Sequence, residues 1–325
     1  MLQDFKFSHL PVLFTECIDA LNIRSGGIYL DCTAGGGGHS IGILERLDKK
    51  GTLISVDKDE SALSACRAKM EQGNYSGKWV LVKSDFSNIE QVLDDLGILK
   101  VDGVLADLGV SSHQLDTAQR GFSYVSDGPL DMRMDPGQSL SASVVVNEYD
   151  EADLARIIRD YGEEKFSKRI AGRIVENRKV AQITSTVRLA EIVARAMPSK
   201  AKKEDQHPAR RTFQAIRIEV NSELAAIQKL LEFIPQRLNK DGRFAVISFH
   251  SLEDRLVKEA FKSLESPCTC PREFPVCICG KKPLGKMITG KPITAGPEEI
   301  KENKRSKSAK LRVFERNGLE WNPLH

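Results

Sequence analysis

Short apolar runs alternate with amphipathic segments along the first third of the chain. The apolar runs are rich in β-branched and aromatic residues and have the length of buried strands, whereas the segments between them have helical periodicity. The predicted strands cover 28–30, 53–56, 79–82 and 103–106, and the predicted helices cover 40–47, 61–70 and 89–96. Because strands and helices alternate in a doubly wound parallel sheet, we predict an α/β fold of the nucleotide-binding type.

The alternation stops after Asp107. Residues 109–143 are rich in Ser, Gly, Asp and Pro, and we predict a loop there. Apolar residues at helical spacing then predict three helices, which we interpret as the core of an inserted helical domain. These helices cover 151–161, 163–178 and 186–196.

A long amphipathic stretch returns the chain to the sheet. Its pattern predicts one helix over 212–238, then a strand at 243–249 and a last strand at 310–315. Residues 266–305 are rich in Pro, Gly, Lys and Cys and predict a loop or a small lobe. The predicted domain order is therefore a first part of the sheet domain at 1–110, the loop and inserted helical domain at 111–211, and a second part of the sheet domain at 212–325.

Bulk composition agrees with a folded chain of two domains. The 325 residues are 41% hydrophobic and 29% charged, which allows a large core and argues against disorder. The first ten residues lack the basic and apolar regions of a secretory signal, and no apolar run is long enough to span a membrane. An odd number of cysteines, seven, suits a reducing compartment. We expect a cytoplasmic protein with no membrane partner.

The net charge of +3 conceals clusters of basic residues in the second half of the chain. Such clusters can neutralise phosphates of a nucleic acid, but they are equally common on solvated helix faces, so charge alone does not decide. The clusters are Lys165, Lys168, Arg169, Arg173, Arg178 and Lys179; Lys200, Lys202, Lys203, Arg210 and Arg211; and Lys304, Arg305, Lys307, Lys310 and Arg312.

Four consecutive glycines, residues 35–38, lie between the first predicted strand and the first predicted helix. Such a turn lets a ligand approach the backbone, and it serves either a dinucleotide or S-adenosylmethionine. A G-x-G-x-x-G fingerprint would need glycine in place of Ser40, whereas the acid at the end of the strand, Asp31, suits a methionine ammonium group. The pattern favours S-adenosylmethionine.

Acidic residues also end the following strands. Asp57 lies about 20 residues past the glycines, where a carboxylate accepts ribose hydroxyls. Asp85 and Phe86 follow the third strand, where the ring can contact an adenine face. Asp107 ends the fourth strand. Each acid alone is more often a turn residue, but four in register predict a ligand crevice at one sheet edge.

Seven longer motifs extend over nearly the whole chain. They are His9–Leu13, Gly35–Ser40, Asp107–Ser112, Arg120–Ser123, Gly128–Met134, His207–Ala215 and Ser248–Arg255. Together they closely resemble the ribosomal RNA small subunit methyltransferase H family. The resemblance implies a Rossmann-like sheet of the S-adenosylmethionine-dependent methyltransferases with an inserted helical substrate-recognition domain. It implies methyl transfer to N4 of a cytidine in the decoding region of 16S ribosomal RNA, with the small ribosomal subunit as the expected partner, and it leaves the oligomeric state open.

The motifs carry over a set of cofactor contacts, and the chemistry of the implied reaction suggests two candidate catalytic residues. Cytosine's amino group is a weak nucleophile and needs an acceptor for its protons. Asp107 is our first candidate, although a cofactor contact competes for its side chain and the Asp-Leu-Gly-Val sequence departs from the Asp/Asn-Pro-Pro-aromatic motif of many amino-group methyltransferases. His250 is the second, with a helix cap as the alternative. The implied cofactor contacts are Gly37, Gly38, His39, Asp57, Phe86, Asp107 and Gln114.

The loop that follows Asp107 offers groups that could hold an unstacked base. Phe122, Tyr124 and Arg133 are our candidates, and we expect this loop to close over the base. Methylation of a ring carbon would instead need a cysteine nucleophile, and Cys32, the nearest candidate, is expected to pack in the core.

Two alternatives to a methyltransferase remain open. The chain could be a non-catalytic RNA-binding or assembly protein with a vestigial nucleotide fold, although its intact strand-end acids argue against this, or a nicotinamide-dependent oxidoreductase, which Ser40 disfavours. We assign no metal ligands to the active site. Four thiols in two C-x-C pairs, Cys268, Cys270, Cys277 and Cys279, could nevertheless hold a structural zinc, although C-x-x-C is the more usual spacing.

Overall fold

Seven strands form one sheet in the order β3-β2-β1-β4-β5-β7-β6. The computed structural model describes residues 11–198, 207–271 and 273–320, which leaves out Lys200, Lys202, Lys203 and the first two residues of the His9 motif. The strands within the described ranges are β1 (Ile28–Asp31), β2 (Thr52–Asp57), β3 (Lys78–Lys83), β4 (Val101–Asp107), β5 (Leu238–Ser248), β6 (Gly285–Met287) and β7 (Lys310–Arg316).

Helices connect the strands and build the insertion. Short 3₁₀ turns lie at Phe86–Asn88, Ala118–Arg120 and Lys304–Ser308. The α-helices within the described ranges are α1 (Phe14–Leu21), α2 (Gly38–Leu44), α3 (Glu60–Gln72), α4 (Ile89–Asp95), α5 (Ser112–Asp116), α6 (Ala142–Glu148), α7 (Glu151–Asp160), α8 (Ser167–Val180), α9 (Thr186–Ala196), α10 (Arg210–Asn221), α11 (Glu223–Arg237), α12 (Ser251–Glu265) and α13 (Pro297–Glu302). The predicted α/β fold with an inserted helical part is confirmed.

The strand order places the ligand crevice at β1. This strand pairs in parallel with β2 on one side and with β4 on the other. Strands β2 and β3 extend the sheet to one side of β1, and β4 and β5 extend it to the other, so the strand order reverses at β1. In open α/β sheets, ligands bind beyond the carboxyl ends of the strands at such a reversal point. Strands β4 and β5 are also parallel, whereas β7 runs antiparallel to both β5 and β6.

The chain divides into two compact units, which we call the sheet unit and the helical unit. The sheet unit comprises Met1–Gly109 and Ala225–His325, and the helical unit comprises Val110–Leu224. Fully buried apolar side chains such as Leu53 and Leu105 form the core of the sheet unit, and others such as Ile158 form that of the helical unit.

The single helix predicted over 212–238 is wrong, because two helices occupy this stretch. Ser222 adopts a left-handed conformation with φ of 49°, and its N–H bonds back to the carbonyls of Ile218 and Glu219. This closes α10, and α11 begins one residue later. The apolar stripe continues across the break, which explains why hydrophobic periodicity does not reveal it.

The loop predicted over 109–143 is also only partly correct. The segment contains α5 and a 3₁₀ turn, and its backbone is hydrogen bonded to itself, with Met132 N donating to Arg120 O at 3.0 Å and Ala142 N to Asp131 O at 2.8 Å. Leu130 and Met132 are buried. Its polar composition reflects turns and helix caps rather than an open loop.

No helix within the described ranges has the length and apolar character needed to cross a membrane.

Candidate cofactor and substrate site

The glycine turn between β1 and α2 is built on a left-handed residue. Gly37 has φ of 77° and precedes the first residue of α2, and its N–H donates to Ala34 O at 2.7 Å. A Cβ at this position would lie 3.1 Å from the sulfur of Cys66. Both the backbone conformation and the neighbouring side chain therefore require glycine here.

Replacing Gly37 with Ala is expected to lower the free energy of unfolding by about 1–2 kcal/mol, since a left-handed backbone costs that much for a residue with a Cβ. The sequence predicts that the backbone of this turn faces the cofactor, so affinity for the cofactor should fall with it. Denaturant titration and calorimetry measure the two effects. Gly290→Ala is the matched control: a Cβ there would contact nothing within 4 Å, and unchanged stability is expected. Equal stability of both variants would contradict this account of the turn.

A buried chain of hydrogen bonds holds the turn from below. Trp79 Nε1 donates to Ser55 Oγ at 2.8 Å, Ser55 Oγ lies 2.9 Å from Ser40 Oγ, and Ser40 Oγ donates to Asp31 Oδ2 at 2.6 Å. The N–H of Thr33 donates to the other oxygen of Asp31 at 3.1 Å. Ser40 therefore supports the turn where a dinucleotide fingerprint would have glycine.

These contacts also bear on the expectation that Asp31 meets a methionine ammonium group. The side chain is buried, and both of its oxygens already accept hydrogen bonds from the protein. Burial raises the pKa of this carboxyl. The arrangement favours a supporting role for Asp31 beneath the turn over direct contact with a ligand.

Asp57, at the end of β2, ties two backbone segments together. Its Oδ2 accepts from Gly35 N at 2.8 Å and its Oδ1 accepts from Asp59 N at 2.9 Å. Burial raises the pKa of Asp57 to about 6, against the lowering effect of these two N–H donors. The carboxylate links the glycine turn to the start of α3 and remains partly exposed, as a ribose-binding acid must be.

Asp85 and Phe86 follow β3. Asp85 Oδ1 accepts from Ser87 N at 2.8 Å, which caps the 3₁₀ turn, and Lys58 Nζ donates to its Oδ2 at 3.0 Å. Burial opposes ionisation of Asp85, but the Lys58 ammonium and the hydrogen bonds from Ser87 together outweigh burial and lower the pKa of that carboxyl. Phe86 begins the 3₁₀ turn and is partly exposed, which leaves its ring accessible to a ligand at this sheet edge.

His39 is neutral and fixed in one orientation. Its Nε2 lies 3.1 Å from Val12 O and donates to that carbonyl, and its ring stacks on Phe14 with centroids 6.1 Å apart. Burial lowers the pKa of His39 to about 4. With the proton on Nε2, Nδ1 carries a lone pair and lies 3.8 Å from Asp107 Oδ2. No ion pair forms between these two side chains near neutral pH.

Asp107, at the end of β4, has the strongest sign of an external partner. Its backbone N–H donates to Thr33 Oγ1 at 2.7 Å, but its Oδ1 is buried and has no hydrogen-bond partner among the described residues. Burial raises the pKa of Asp107 to about 8, and the carboxylates of Asp31 and Glu253 add to the effect. Because unpaired buried oxygens are costly, this atom points to a ligand that donates a hydrogen bond or carries positive charge.

His250 caps α12 at the end of β5, the strand next to β4. Its Nδ1 accepts from Glu253 N at 3.5 Å, and Glu253 Oε2 in turn accepts from Phe249 N at 2.7 Å and His250 N at 3.2 Å. This reciprocal cap is the alternative that the sequence leaves open. It favours a positioning role for His250, whose catalytic role stays a prediction. Asp254, one residue further, is bound to Lys310 and Arg312 of β7.

Gln114 belongs to the helical unit. It is buried, and it closes a capping box at the start of α5: its Oε1 accepts from Ser111 N at 3.1 Å, and its own N–H donates to Ser111 Oγ at 3.2 Å. Its assignment as a cofactor contact stays a prediction.

The three residues expected to hold the base are all engaged within the helical unit. Phe122 is buried in the core of that unit. Tyr124 stacks on His207 with ring centroids 4.8 Å apart. The guanidinium of Arg133 makes a two-point contact with Asp131, with Nη2 2.7 Å from Oδ2, and Nη1 donates to Gln138 O at 2.9 Å. A base-holding role for Phe122 or Arg133 would require these contacts to break, because core packing and the ion pair already occupy them.

The basic residues of the predicted clusters are of two kinds, those bonded within their own unit and those exposed on the surface. Arg178 donates to the carbonyls of Val146 and Tyr149 inside the helical unit, and Arg312 is buried against Asp254 in the sheet unit. Other cations are exposed and free to meet phosphates, among them Lys165, Lys168, Arg169 and Lys179 on or beside α8 and Lys304 and Lys307 near β7.

Several supporting residues escape prediction from the sequence. Thr33 receives the backbone N–H of Asp107, and Trp79 and Ser55 complete the hydrogen-bond chain under the turn. Lys69 Nζ donates to Gly36 O at 2.7 Å. Only Trp79 carries a signal, because an indole in a buried strand needs an acceptor for its N–H.

Comparison with known proteins shows the family to which the chain belongs. The chain is similar to the ribosomal RNA small subunit methyltransferase H of Clostridium botulinum, with 54% identity over 308 residues that cover 95% of this chain and 98% of that protein. It is similar to the protein of the same name from Lachnospira eligens, with 51% identity over 311 residues and 96% and 98% coverage.

A solved structure described as an rRNA methylase from Streptococcus thermophilus matches more distantly. It covers 95% of this chain and 99% of its own, with 10% identity and a TM-score of 0.40, too weak a likeness to bear on individual residues. A family model matches residues 6–317, nearly the whole chain, and its description is the MraW methylase family. The chain belongs to the MraW methylase family.

Proposed function

We propose that this S-adenosylmethionine-dependent methylase transfers a methyl group to N4 of a cytidine in the decoding region of 16S ribosomal RNA. The proposal rests on family membership and on one observation: the buried Oδ1 of Asp107 has no protein partner among the described residues, at the edge of the sheet where the cofactor turn lies. The names of the two curated relatives support the small ribosomal subunit as the source of the RNA. The protein would then work in the cytoplasm.

The residues of the sheet unit suit the proposed cofactor. The backbone at Gly37 and Gly38 would hold the amino-acid part of the ligand, Asp57 would accept hydrogen bonds from the ribose hydroxyls, and Phe86 would contact the adenine. The space beside Gly35 is open, since a Cβ on this residue would have only the carbonyl oxygen of Thr33 within 4 Å, at 3.8 Å. S-adenosylmethionine supplies a methyl group that is already activated by its sulfonium.

The protein must make the amino nitrogen of cytosine a better nucleophile. Its lone pair is delocalised into the ring, so the nitrogen must be held by an acceptor that draws its N–H bonds away from the ring plane. In the proposal, the carboxylate of Asp107, whose side chain is partly exposed, is that acceptor. As the N–C bond forms, the S–C bond of the sulfonium breaks and its electron pair stays on the departing neutral thioether. The nitrogen then loses one proton, and a carboxylate whose pKa is about 8 can take it.

Neighbouring groups help to keep the pKa of Asp107 high. Glu253 is fully buried in the cap of α12, and its charge raises the pKa of Asp107. Neutral His39 gives Asp107 no counter-charge that would lower its basicity. His250 is a positioning residue in this scheme, because it holds Glu253 through the capping box.

The direct test supplies labelled S-adenosylmethionine to the protein together with small ribosomal subunits that lack the modification. Digestion and mass spectrometry then locate the labelled nucleoside. Label on N4 of one cytidine is expected. Label on carbon 5 or on a ribose oxygen would overturn the proposed position, and absence of any label on RNA while the protein binds the cofactor would overturn the substrate. Parallel reactions with protein-free 16S RNA decide between naked RNA and the assembled subunit.

A further inference from the structure

Four cysteine thiols converge in the segment between α12 and β6, far in sequence from the glycine turn. The Sγ atoms of Cys268, Cys270, Cys277 and Cys279 all lie within 4.8 Å of one another. Specific pairs are separated by 3.5 Å for Cys268 and Cys277, 3.4 Å for Cys277 and Cys279, and 3.9 Å for Cys268 and Cys279. The other three cysteines of the chain are buried singly in the core of the sheet unit or at the end of β1.

These separations match the corners of a tetrahedron around a metal. A zinc–sulfur bond of about 2.3 Å places the sulfur atoms of a four-thiolate site about 3.8 Å apart. A disulfide would need about 2.05 Å between two of the atoms, so the distances do not describe a pair of disulfides. They are also too short for the thiolates around an iron–sulfur cluster, where several iron atoms lie between the ligands. One metal ion at the centre fits the set.

Nothing else in the segment accounts for the convergence. No described residue between Ser266 and Pro283 is buried, and the segment contains neither helix nor strand within the described ranges. Its apolar side chains Phe274, Val276 and Ile278 are exposed instead of packed into a core. Small lobes without a core are usually held by disulfides or by a metal.

The backbone around the thiols has features of a metal-binding turn. Ile278 N donates to Cys270 Sγ at 3.4 Å, and such N–H···S bonds stabilise a thiolate. Gly280 has φ of 68°, which turns the chain sharply after the last cysteine. Lys281 and Lys282 follow directly and can offset the excess negative charge of four thiolates around a divalent ion.

We propose that Cys268, Cys270, Cys277 and Cys279 form a structural site for one zinc ion. The closed set of four soft ligands suits a structural ion and leaves no open position for catalysis. Binding converts thiols to thiolates, so each thiol that is protonated beforehand releases one proton, and no electron transfer is involved. The ion fixes a lobe that would otherwise lack internal contacts and presents its exposed apolar residues on a rigid turn.

The test begins with the full chain, purified without added metal or chelator and analysed by elemental mass spectrometry. One zinc per chain is expected, together with proton release when zinc is returned to the apo protein. Cobalt substitution should give the visible bands of a tetrahedral four-thiolate site. Absence of metal combined with no binding of added zinc would overturn the site, and iron in place of zinc would overturn the assignment of the ion.

Variants locate the ion. The double substitution Cys277→Ser and Cys279→Ser should abolish zinc binding and increase cleavage of the segment by protease, while cofactor binding, measured by calorimetry, confirms that the sheet unit is folded. Thr269→Ser, an exposed change between two of the ligands, is the matched control and should keep one zinc. Full zinc content in the double variant would place the metal elsewhere and overturn the proposal.

Discussion

Substitution of Asp107 with Asn is expected to lower the rate of methyl transfer by about 10²- to 10⁴-fold, the range found when a positioned base is removed. Asn keeps the size of the side chain but cannot take the proton that the amino nitrogen loses. The carboxylate of Asp107, partly exposed and with one oxygen unpaired among the described residues, is the group that the RNA amine should contact. Single-turnover measurements with saturating cofactor and small subunits give the rate directly.

The pH dependence of the wild-type protein provides a second check. The pKa of Asp107 is raised to about 8, so below that pH the side chain is mostly protonated and cannot take a proton from the amino nitrogen. The value of kcat/KM, which reports the free enzyme, should therefore rise as pH increases up to about 8 and then level off. The Asn variant should lack this rise.

Over the pH range in which kcat/KM rises, the contribution of Asp107 to the free energy of unfolding should fall. An acid whose folded pKa lies above its unfolded value destabilises the fold increasingly as pH rises from the unfolded to the folded pKa. For Asp107 this window extends from about 4 to about 8, so the cofactor-free Asn variant should melt at a higher temperature than wild type at pH 8. Asp95→Asn, at the exposed end of α4, is the control for both measurements. Wild-type kcat/KM in Asp107→Asn would refute the proposed role.

The second large effect is expected for Asp57. Its replacement with Ala should weaken cofactor binding by about 100-fold or more, because charge-assisted hydrogen bonds contribute about 1.5–3 kcal/mol each and two ribose hydroxyls are proposed to bind this carboxylate. The loss also frees the N–H groups of Gly35 and Asp59, which the carboxylate now binds. Calorimetry with S-adenosylmethionine measures the affinity.

The control for Asp57 lies three residues away. Glu60 is exposed and pairs with Arg67 and Lys83 on the surface, so Glu60→Ala should leave the affinity unchanged. Wild-type affinity should also decline as pH falls below about 6, where Asp57 becomes protonated. Equal affinities of the Asp57 and Glu60 variants would contradict the ribose assignment.

The strands and the strand-end acids are predictable because they follow from local rules. A buried parallel strand is an apolar run of fixed length, and the ends of parallel strands meet at one edge of the sheet. The positions of Asp57 and Asp107 therefore follow from the sequence alone. Their chemistry does not, because the pKa of Asp107 is raised first by burial and then by the charges of Asp31 and Glu253. Burial depends on tertiary packing, and Glu253 is distant in sequence and follows β5, the strand that pairs with β4.

Features that depend on a single backbone conformation or on packing do not follow from the sequence pattern. The break at Ser222 has neither glycine nor proline to mark it. Phe122 lies in a polar segment that suggests availability for a base, yet it belongs to a hydrophobic core. The orientation of His39 comes from the carbonyl of Val12, 27 residues earlier. The C-x-C pairs suggest a metal from the sequence, but only the spatial arrangement distinguishes one tetrahedral site from four separate thiols.

The sheet unit is assembled from two stretches of chain that are synthesised far apart in time. Asn239, in β5, hydrogen bonds to Asp102, in β4, across 137 residues of sequence, so the sheet cannot close until most of the protein has left the ribosome. The helical unit, whose core residues are continuous in the chain, can be complete before then. Until its last strands arrive, the nascent protein exposes the apolar edge of β4, and translation pauses in that interval would favour aggregation.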